Sequence, residues 1–216
     1  MYIDLVGTCN LSCPSCPIGN SENNNHKKAI SYELMDEITS KAQIDGVNSI
    51  YMYNWTEPLL HNRIGDFVRM IENKGMQSGI SSNLNITKNI DEAISANPSF
   101  FRISLSGFNQ DTYQKGHVGG DIDFVKSNMR LLGELKKRYS SKTLIEVYYH
   151  RYLDNISDEA AVRQLSQDLG FRFSSAFATM MPLEKTLAIA EGNKENINQR
   201  DRKVLPESVS CSSKNH

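Results

Sequence analysis

Residues 2–16 read YIDLVGTCNLSCPSC, an apolar, strand-like run that ends at Gly7 and gives way to three cysteines, Cys9, Cys13 and Cys16. Cysteines packed this closely cannot staple a chain of 216 residues. They read as metal or cluster ligands before they read as disulfides. The spacing Cys9-x-x-x-Cys13-x-x-Cys16 can cap three corners of a cubane cluster and leave the fourth iron without a protein ligand. A catalytic cluster needs such an open iron, whereas an electron-transfer cluster is normally held by four cysteines. Two plainer readings stand beside this one. A structural zinc site would need a fourth ligand, for which His26 is the nearest candidate, and clustered thiols can simply be buried.

Outward from this loop, β-rich runs alternate with amphipathic helical stretches. The pattern predicts strands at Tyr2–Gly7, Ser49–Asn54, Gln77–Ser82, Phe100–Ser106, Thr143–Arg151 and Phe171–Phe177. It predicts helices near Ser31–Gln43, Arg63–Lys74, Lys88–Ala96, Asp121–Lys137 and Ser157–Leu169, with Ser31, Thr87 and Ser157 as N-caps. Each interval between strands has room for a crossover helix. The expected fold is therefore α/β: a partial (β/α)6 TIM-like barrel of parallel strands with outer helices. After Phe177 the rhythm stops. Met180–Gly192 could add one helix, and the polar stretch from Asn193 to His216 reads as a linker or tail. This divides the chain into a domain at 1–178 and an appendage at 179–216.

Alternation within the strands sorts their faces. Phe101, Ile103 and Leu105 share one face, opposite Arg102, Ser104 and Ser106; Ile145, Val147 and Tyr149 oppose Glu146, Tyr148 and His150. Phe171 and Phe173 likewise oppose Arg172 and Ser174. The apolar files should meet the helices, which turns the polar files inward. A packed barrel interior prefers branched apolar residues, so this polarity predicts a lined cavity.

The bulk numbers remove several alternatives. Lys plus Arg total 24 against 25 Asp plus Glu, for a net charge of −1. No basic cluster recommends a nucleic-acid partner. No apolar run reaches the ~20 residues of a membrane span. Asp4 and Cys9 interrupt the plan of a secretory signal, so a reducing cytoplasm is the expected location.

The second strand runs into Asn54-Trp55-Thr56-Glu57-Pro58. Three cysteines after strand one, followed by a Gly-Glu-Pro-like segment after strand two, resemble the radical S-adenosylmethionine (SAM) superfamily over about residues 2–177. The resemblance implies a [4Fe–4S] cluster on Cys9, Cys13 and Cys16, and SAM bound at the open iron. It implies that Thr56 and Glu57 face the SAM amino group, although the family commonly has glycine where Thr56 stands. By the same resemblance Asn83, Ser104 and Ser106 would touch the methionyl and ribose parts. Asn and Ser at strand ends are also ordinary turn residues, and Glu57 could be a solvated loop carboxylate. The family's adenine-binding motif is not recognisable in Tyr148–Asn155.

Substrate choice would fall to the inward polar file, with Glu146, Tyr148 and His150 as candidate catalytic residues and Arg102 and Arg172 as anion clamps. Mutual Arg–Glu pairing and simple tyrosine packing are the competing readings. The resemblance further implies a low-potential electron donor such as flavodoxin or ferredoxin and a peptide, sugar or small-metabolite substrate. The segments NWTEP, SLSGF and His117-Val118-Gly119-Gly120 are most similar to members that carry a C-terminal SPASM or twitch extension. Cys211 alone is too few cysteines for a complete extension, so the sequence reads either as a chain that stops inside one, the favoured reading, or as a shortened relative with a single cluster.

Overall fold

A computed structural model describes residues 1–19, 26–152 and 154–178. The expectations for Met180–Gly192, for Cys211 and for the whole appendage at 179–216 lie outside the described residues, as does the side chain of His26.

The first strand is short. Tyr2 makes a single parallel bridge to Tyr51, and Ile3 N–H donates to the Tyr51 carbonyl at 2.9 Å. The chain then leaves the sheet, and β1 (Val6–Gly7) pairs antiparallel with β2 (His26–Ala29). The sequence gives no hint of β2, because His-Lys-Lys-Ala lacks the apolar alternation that marks a half-buried strand. Helix α1 (Tyr32–Ile44) follows, capped as expected by Ser31, whose hydroxyl accepts from Leu34 N–H at 3.1 Å.

From here the expected rhythm holds. The main sheet has five parallel strands in the order β3 (Ser49–Tyr51), β4 (Gln77–Ser82), β5 (Phe100–Leu105), β6 (Leu144–Arg151) and β7 (Arg172–Phe177). The crossovers carry α2 (Ile64–Asn73), α3 (Ile90–Ser95), α4 (Gln110–Gly116), α5 (Ile122–Arg138) and α6 (Glu159–Asp168). The architecture is an open, partial TIM-like α/β fold; among the described residues the sheet does not close into a barrel. No helix among them is long and apolar enough to cross a membrane.

The apolar files pack as alternation requires. Phe101, Ile103, Leu105, Ile145, Val147 and Tyr149 are each at most 2% exposed and belong to one core with Phe67, Ile71, Val125 and Leu132 from the helices. Each such side chain contributes on the order of 1.5–3 kcal/mol by leaving water. At the amino end of the sheet, Glu72 of α2 fastens two strands: its Oε1 accepts the N–H and hydroxyl of Ser78 and of Ser99, at 2.6–3.0 Å.

Two expected N-caps fail for identifiable reasons, and one helix was not foreseen. Thr87 does not cap α3, since its hydroxyl donates to Asn128. The cap position falls to Asn89 in the left-handed region (φ 65°), held there by its amide donating to the Leu59 and His61 carbonyls. Ser157 lies inside a 3-10 turn, Ile156–Asp158, and Asp158 precedes α6. The Asp158 carboxylate instead accepts the Phe108 and Asn109 N–H groups. Helix α4 was unexpected because its polar sequence carries little periodic signal. Its backbone packs so closely on Gly107 that a Cβ there would lie 2.5 Å from Tyr113 N.

Candidate functional site

The carboxyl ends of the parallel strands and the loop after β1 surround a cavity of about 470 Å³, within the usual size range of ligand sites. Cys9, Cys13 and Cys16, free thiols in the loop after β1, all line it. That loop is held from both sides. Ser12 N–H donates to the Val118 carbonyl at 3.0 Å, and the Asn10 amide donates to the Asn85 carbonyl at 3.0 Å. Ser15 Oγ lies 3.1 Å from the hydroxyl of Tyr152, which follows β6. The loop also closes over Gly19, where a Cβ would come within 2.3 Å of the Cys13 carbonyl oxygen. Backbone cannot give way as a flexible side chain can, so the turn requires glycine there.

Burial pushes the Cys9 thiol up to about 11 and the Cys13 thiol up to about 12. Backbone N–H groups of Leu11 and Asn10 oppose the rise at Cys9. Such thiols stay protonated until a metal displaces the proton. Among the described residues, no three His, Cys, Asp or Glu side chains converge tightly enough to hold a single ion. Thiolates on separate corners of a cubane stand further apart than the ligands of one zinc ion. Three thiols facing one cavity are a donor set that fits a cluster with one open corner.

The Asn-Trp-Thr-Glu-Pro loop is organised from below by Asp4. Its carboxylate accepts the N–H groups of Asn54, Trp55 and Thr56 at 2.9–3.2 Å and the Thr56 hydroxyl at 2.8 Å. This capture also ends β3 at Tyr51, short of the expected Asn54. Glu57 is 2% exposed and is no solvated loop carboxylate. Its two oxygens accept from Leu59 N–H at 3.1 Å and Asn83 N–H at 2.9 Å. Burial nevertheless raises it to about 7, because these N–H groups and the nearby Ser82 hydroxyl, all neutral donors, do not replace the lost water.

The remaining candidates are distributed unevenly. Thr56, Asn83 and Ser104 line the cavity, with Ser104 Oγ 3.3 Å from Ser81 Oγ. Tyr148 and His150 line it too, their rings 5.0 Å apart. Glu146 is not among the lining residues: it accepts from Arg102 Nε at 3.1 Å, the mutual pairing that sequence left open. The Arg102 guanidinium sits 4.6 Å over the Tyr148 ring. Arg102 and Tyr53 also border a second cavity of about 330 Å³ toward the amino end of the sheet. Ser106 does not line the main cavity either; its hydroxyl is 2.6 Å from His117 Nδ1.

His117, not among the candidate residues, is thereby fixed in the cavity wall. Its ring stacks on Tyr113 at 4.9 Å and lies 6.3 Å from the His150 ring. Burial lowers His117 to about 3 and His150 to about 4, with the neighbouring Arg102 adding to the effect at His150. Both imidazoles are neutral at physiological pH. Asn155, also unforeseen, ties this wall together: its amide donates to the Ser106 and His150 carbonyls, both at 2.8 Å. His117 stands in a segment that carried the resemblance but gave no sign of a site role, and Asn155 reads as an ordinary loop residue until its bond to the Ser106 carbonyl, 49 residues away, is seen.

Comparison with known proteins puts this geometry in company. The profile of the radical SAM superfamily matches residues 3–158. No curated protein sequence matches the chain. Among solved structures, Streptococcus suis SuiB bound to the precursor peptide SuiA aligns with TM-score 0.63 and 17% identity over 81% of this chain and 38% of that one. TYW1 with a lysine-pyruvate adduct aligns with TM-score 0.60 and 15% identity, covering 83% of this chain and 65% of that one. Native anSMEcpe with bound AdoMet gives 0.56 and 14%, covering 82% and 52%. At these identities the likeness is one of fold, and this chain spans less than two thirds of each of the three.

Proposed function

This chain belongs to the radical SAM superfamily, whose members use a [4Fe–4S] cluster and SAM, and we propose that residues 1–178 form the catalytic domain of a radical SAM enzyme acting on a peptide or small-molecule substrate. The observation that carries the reading is the placement of Cys9, Cys13 and Cys16 on one cavity at the carboxyl edge of a parallel sheet, where α/β folds of this kind keep their active sites. A cluster held there by Cys9, Cys13 and Cys16 would supply one-electron reductive cleavage of the C5′–S bond of SAM to methionine and a 5′-deoxyadenosyl radical able to take a hydrogen atom from a substrate.

The chain's own residues bind and orient. Cys9, Cys13 and Cys16 would hold the cluster. Glu57, buried and already at the edge of ionisation, gains a counter-charge when an ammonium group arrives, and that charge favours its ionised form. Thr56 presents the adjoining backbone in a loop that Asp4 keeps rigid. Ser104 and Ser81 offer hydroxyls for the methionyl or ribose part. Tyr148, His150 and His117 line the cavity wall where a substrate would lie, and Tyr53 and Phe177 help exclude water. A peptide is the favoured substrate class, because SuiB, of like fold, holds a precursor peptide. A low-potential donor such as flavodoxin or ferredoxin would deliver the electron, and a reducing cytoplasm suits the free thiols.

One anaerobic experiment tests the reading: reconstitute with iron and sulfide, reduce with dithionite, add SAM, and measure 5′-deoxyadenosine. Its formation is the expected outcome. A colourless protein with an air-stable metal would make this a zinc module, and a brown protein unresponsive to SAM would make it an electron carrier.

A further inference from the structure

Asn83, just beyond β4, commits every polar group it has. Its backbone N–H donates to Glu57 Oε2 at 2.9 Å, and its side-chain oxygen accepts from Asn85 N–H at 2.8 Å. Its amide hydrogens go to Asn10 Oδ1 at 2.9 Å and to Cys9 Sγ at 3.6 Å. The residue is 9% exposed. A turn role explains the oxygen, because Asn commonly bonds the backbone two residues on. It does not explain the nitrogen: both hydrogens reach across to the cysteine loop, 73 and 74 residues away in sequence.

We propose that Asn83 is a positioning residue that sets the reduction potential of the cluster through an N–H···S bond to Cys9. The proposal rests on the reading of Cys9 as a cluster ligand. Reduction adds one electron, [4Fe–4S]²⁺ to [4Fe–4S]⁺, with no proton moved, and much of the added negative charge is felt at the thiolate sulfurs. A donor aimed at one of those sulfurs stabilises the reduced form more than the oxidised form, so the potential rises. The N–H groups of Leu11 and Asn10 act on the same sulfur. Asn83 supplies the donor that arrives from another strand. Its aim is fixed at three other points, by Glu57, Asn85 and Asn10, so the donor is preorganised and does not drift with the loop.

The test is an EPR-monitored redox titration of the reconstituted holoprotein, with dithionite as the electron source. Asn83→Ser keeps a turn acceptor and drops the amide donor. Asn83→Asp keeps the shape and the acceptor and replaces the donor with negative charge. In Asn83→Ser the reduced-to-oxidised ratio at a fixed poise should fall about tenfold, a shift of about 59 mV to more negative potential for a one-electron couple. Asn83→Asp should move further in the same direction. A loaded cluster with an unmoved potential in both variants would overturn the proposal and leave the cluster assignment standing. A wild-type protein that holds no cluster would overturn the cluster assignment itself. Should neither variant load, wild-type protein labelled with ¹⁵N in its asparagine side chains decides the matter. ENDOR on the reduced cluster should then show a ¹⁵N coupling, and its absence overturns the proposal.

Discussion

Replacing Asn155 tests whether the cavity wall is built as described. Asn155 is 1% exposed, and its side chain satisfies three backbone groups at once: the carbonyls of Ser106 and His150 at 2.8 Å and the N–H of Tyr152 at 2.7 Å. Asn155→Ala strands all three. A buried polar group left without a partner costs about 1–3 kcal/mol. Water admitted into the vacated space recovers part of that, so a loss of about 3–5 kcal/mol is expected. Asn155→Asp keeps the acceptor for Tyr152 but sets carboxylate oxygen against two carbonyls. Those carbonyls disfavour the anion, so the folded state raises the pKa of the new carboxyl above its unfolded value of about 3.9. Such a group subtracts stability above that value and returns it as pH falls through the raised folded pKa. Urea unfolding followed by circular dichroism and by the fluorescence of the single tryptophan, Trp55, measures both effects. A loss under about 1 kcal/mol for Asn155→Ala, or an Asn155→Asp deficit that is flat from pH 7 to 4, would refute the bridging role.

The other predictions concern the cluster, SAM and the two faces of β6. Cys13→Ala should abolish the roughly four irons per chain of the reconstituted protein, and Cys211→Ala should leave them; a normal cluster in Cys13→Ala would sink the ligand assignment. Glu57→Gln keeps the shape but removes a charge-assisted contact of about 1.5–3 kcal/mol, so isothermal titration should show SAM affinity weakened by roughly one to two orders of magnitude with the cluster intact. Val147→Ala, on the fully buried face, should cost about 1–3 kcal/mol in unfolding experiments. His150→Ala should leave stability nearly unchanged and instead depress substrate turnover; the reverse pattern would mean that β6 has been assigned the wrong face.

The strands were legible where one physical signal dominated. Phe100–Leu105 and Leu144–Arg151 alternate apolar with polar, and the burial of Ile103 and Val147 against the lining positions of Ser104 and Tyr148 follows from period two alone. The cysteine loop was legible as the loop after the first strand, and its three thiols do line one cavity. What escaped depends on partners far along the chain. Asp4 looks like an interruption in a strand until the three N–H groups it accepts, from Asn54 to Thr56, are seen. Ser106 shares a face with Arg102 by alternation, but β5 ends at Leu105, and beyond the ladder its hydroxyl was free to turn to His117. Strand β2 shows itself only in its pairing with β1, and the polar helix α4 packs its backbone on Gly107; neither leaves a periodic trace.

Glu72 has a consequence for how such a protein can change. By binding Ser78 and Ser99 through one oxygen, it locks the starts of β4 and β5 to α2 at the end of the sheet opposite the cysteines. The register of those strands is thus decided where no chemistry takes place. Loops at the other end can then be lengthened, shortened or exchanged without transmitting the alteration down the ladder. A scaffold fastened at its base in this way leaves the cavity end free to vary, and if the cavity is the substrate site proposed above, Tyr148, His150 and His117 in its wall are the positions at which to begin altering selectivity.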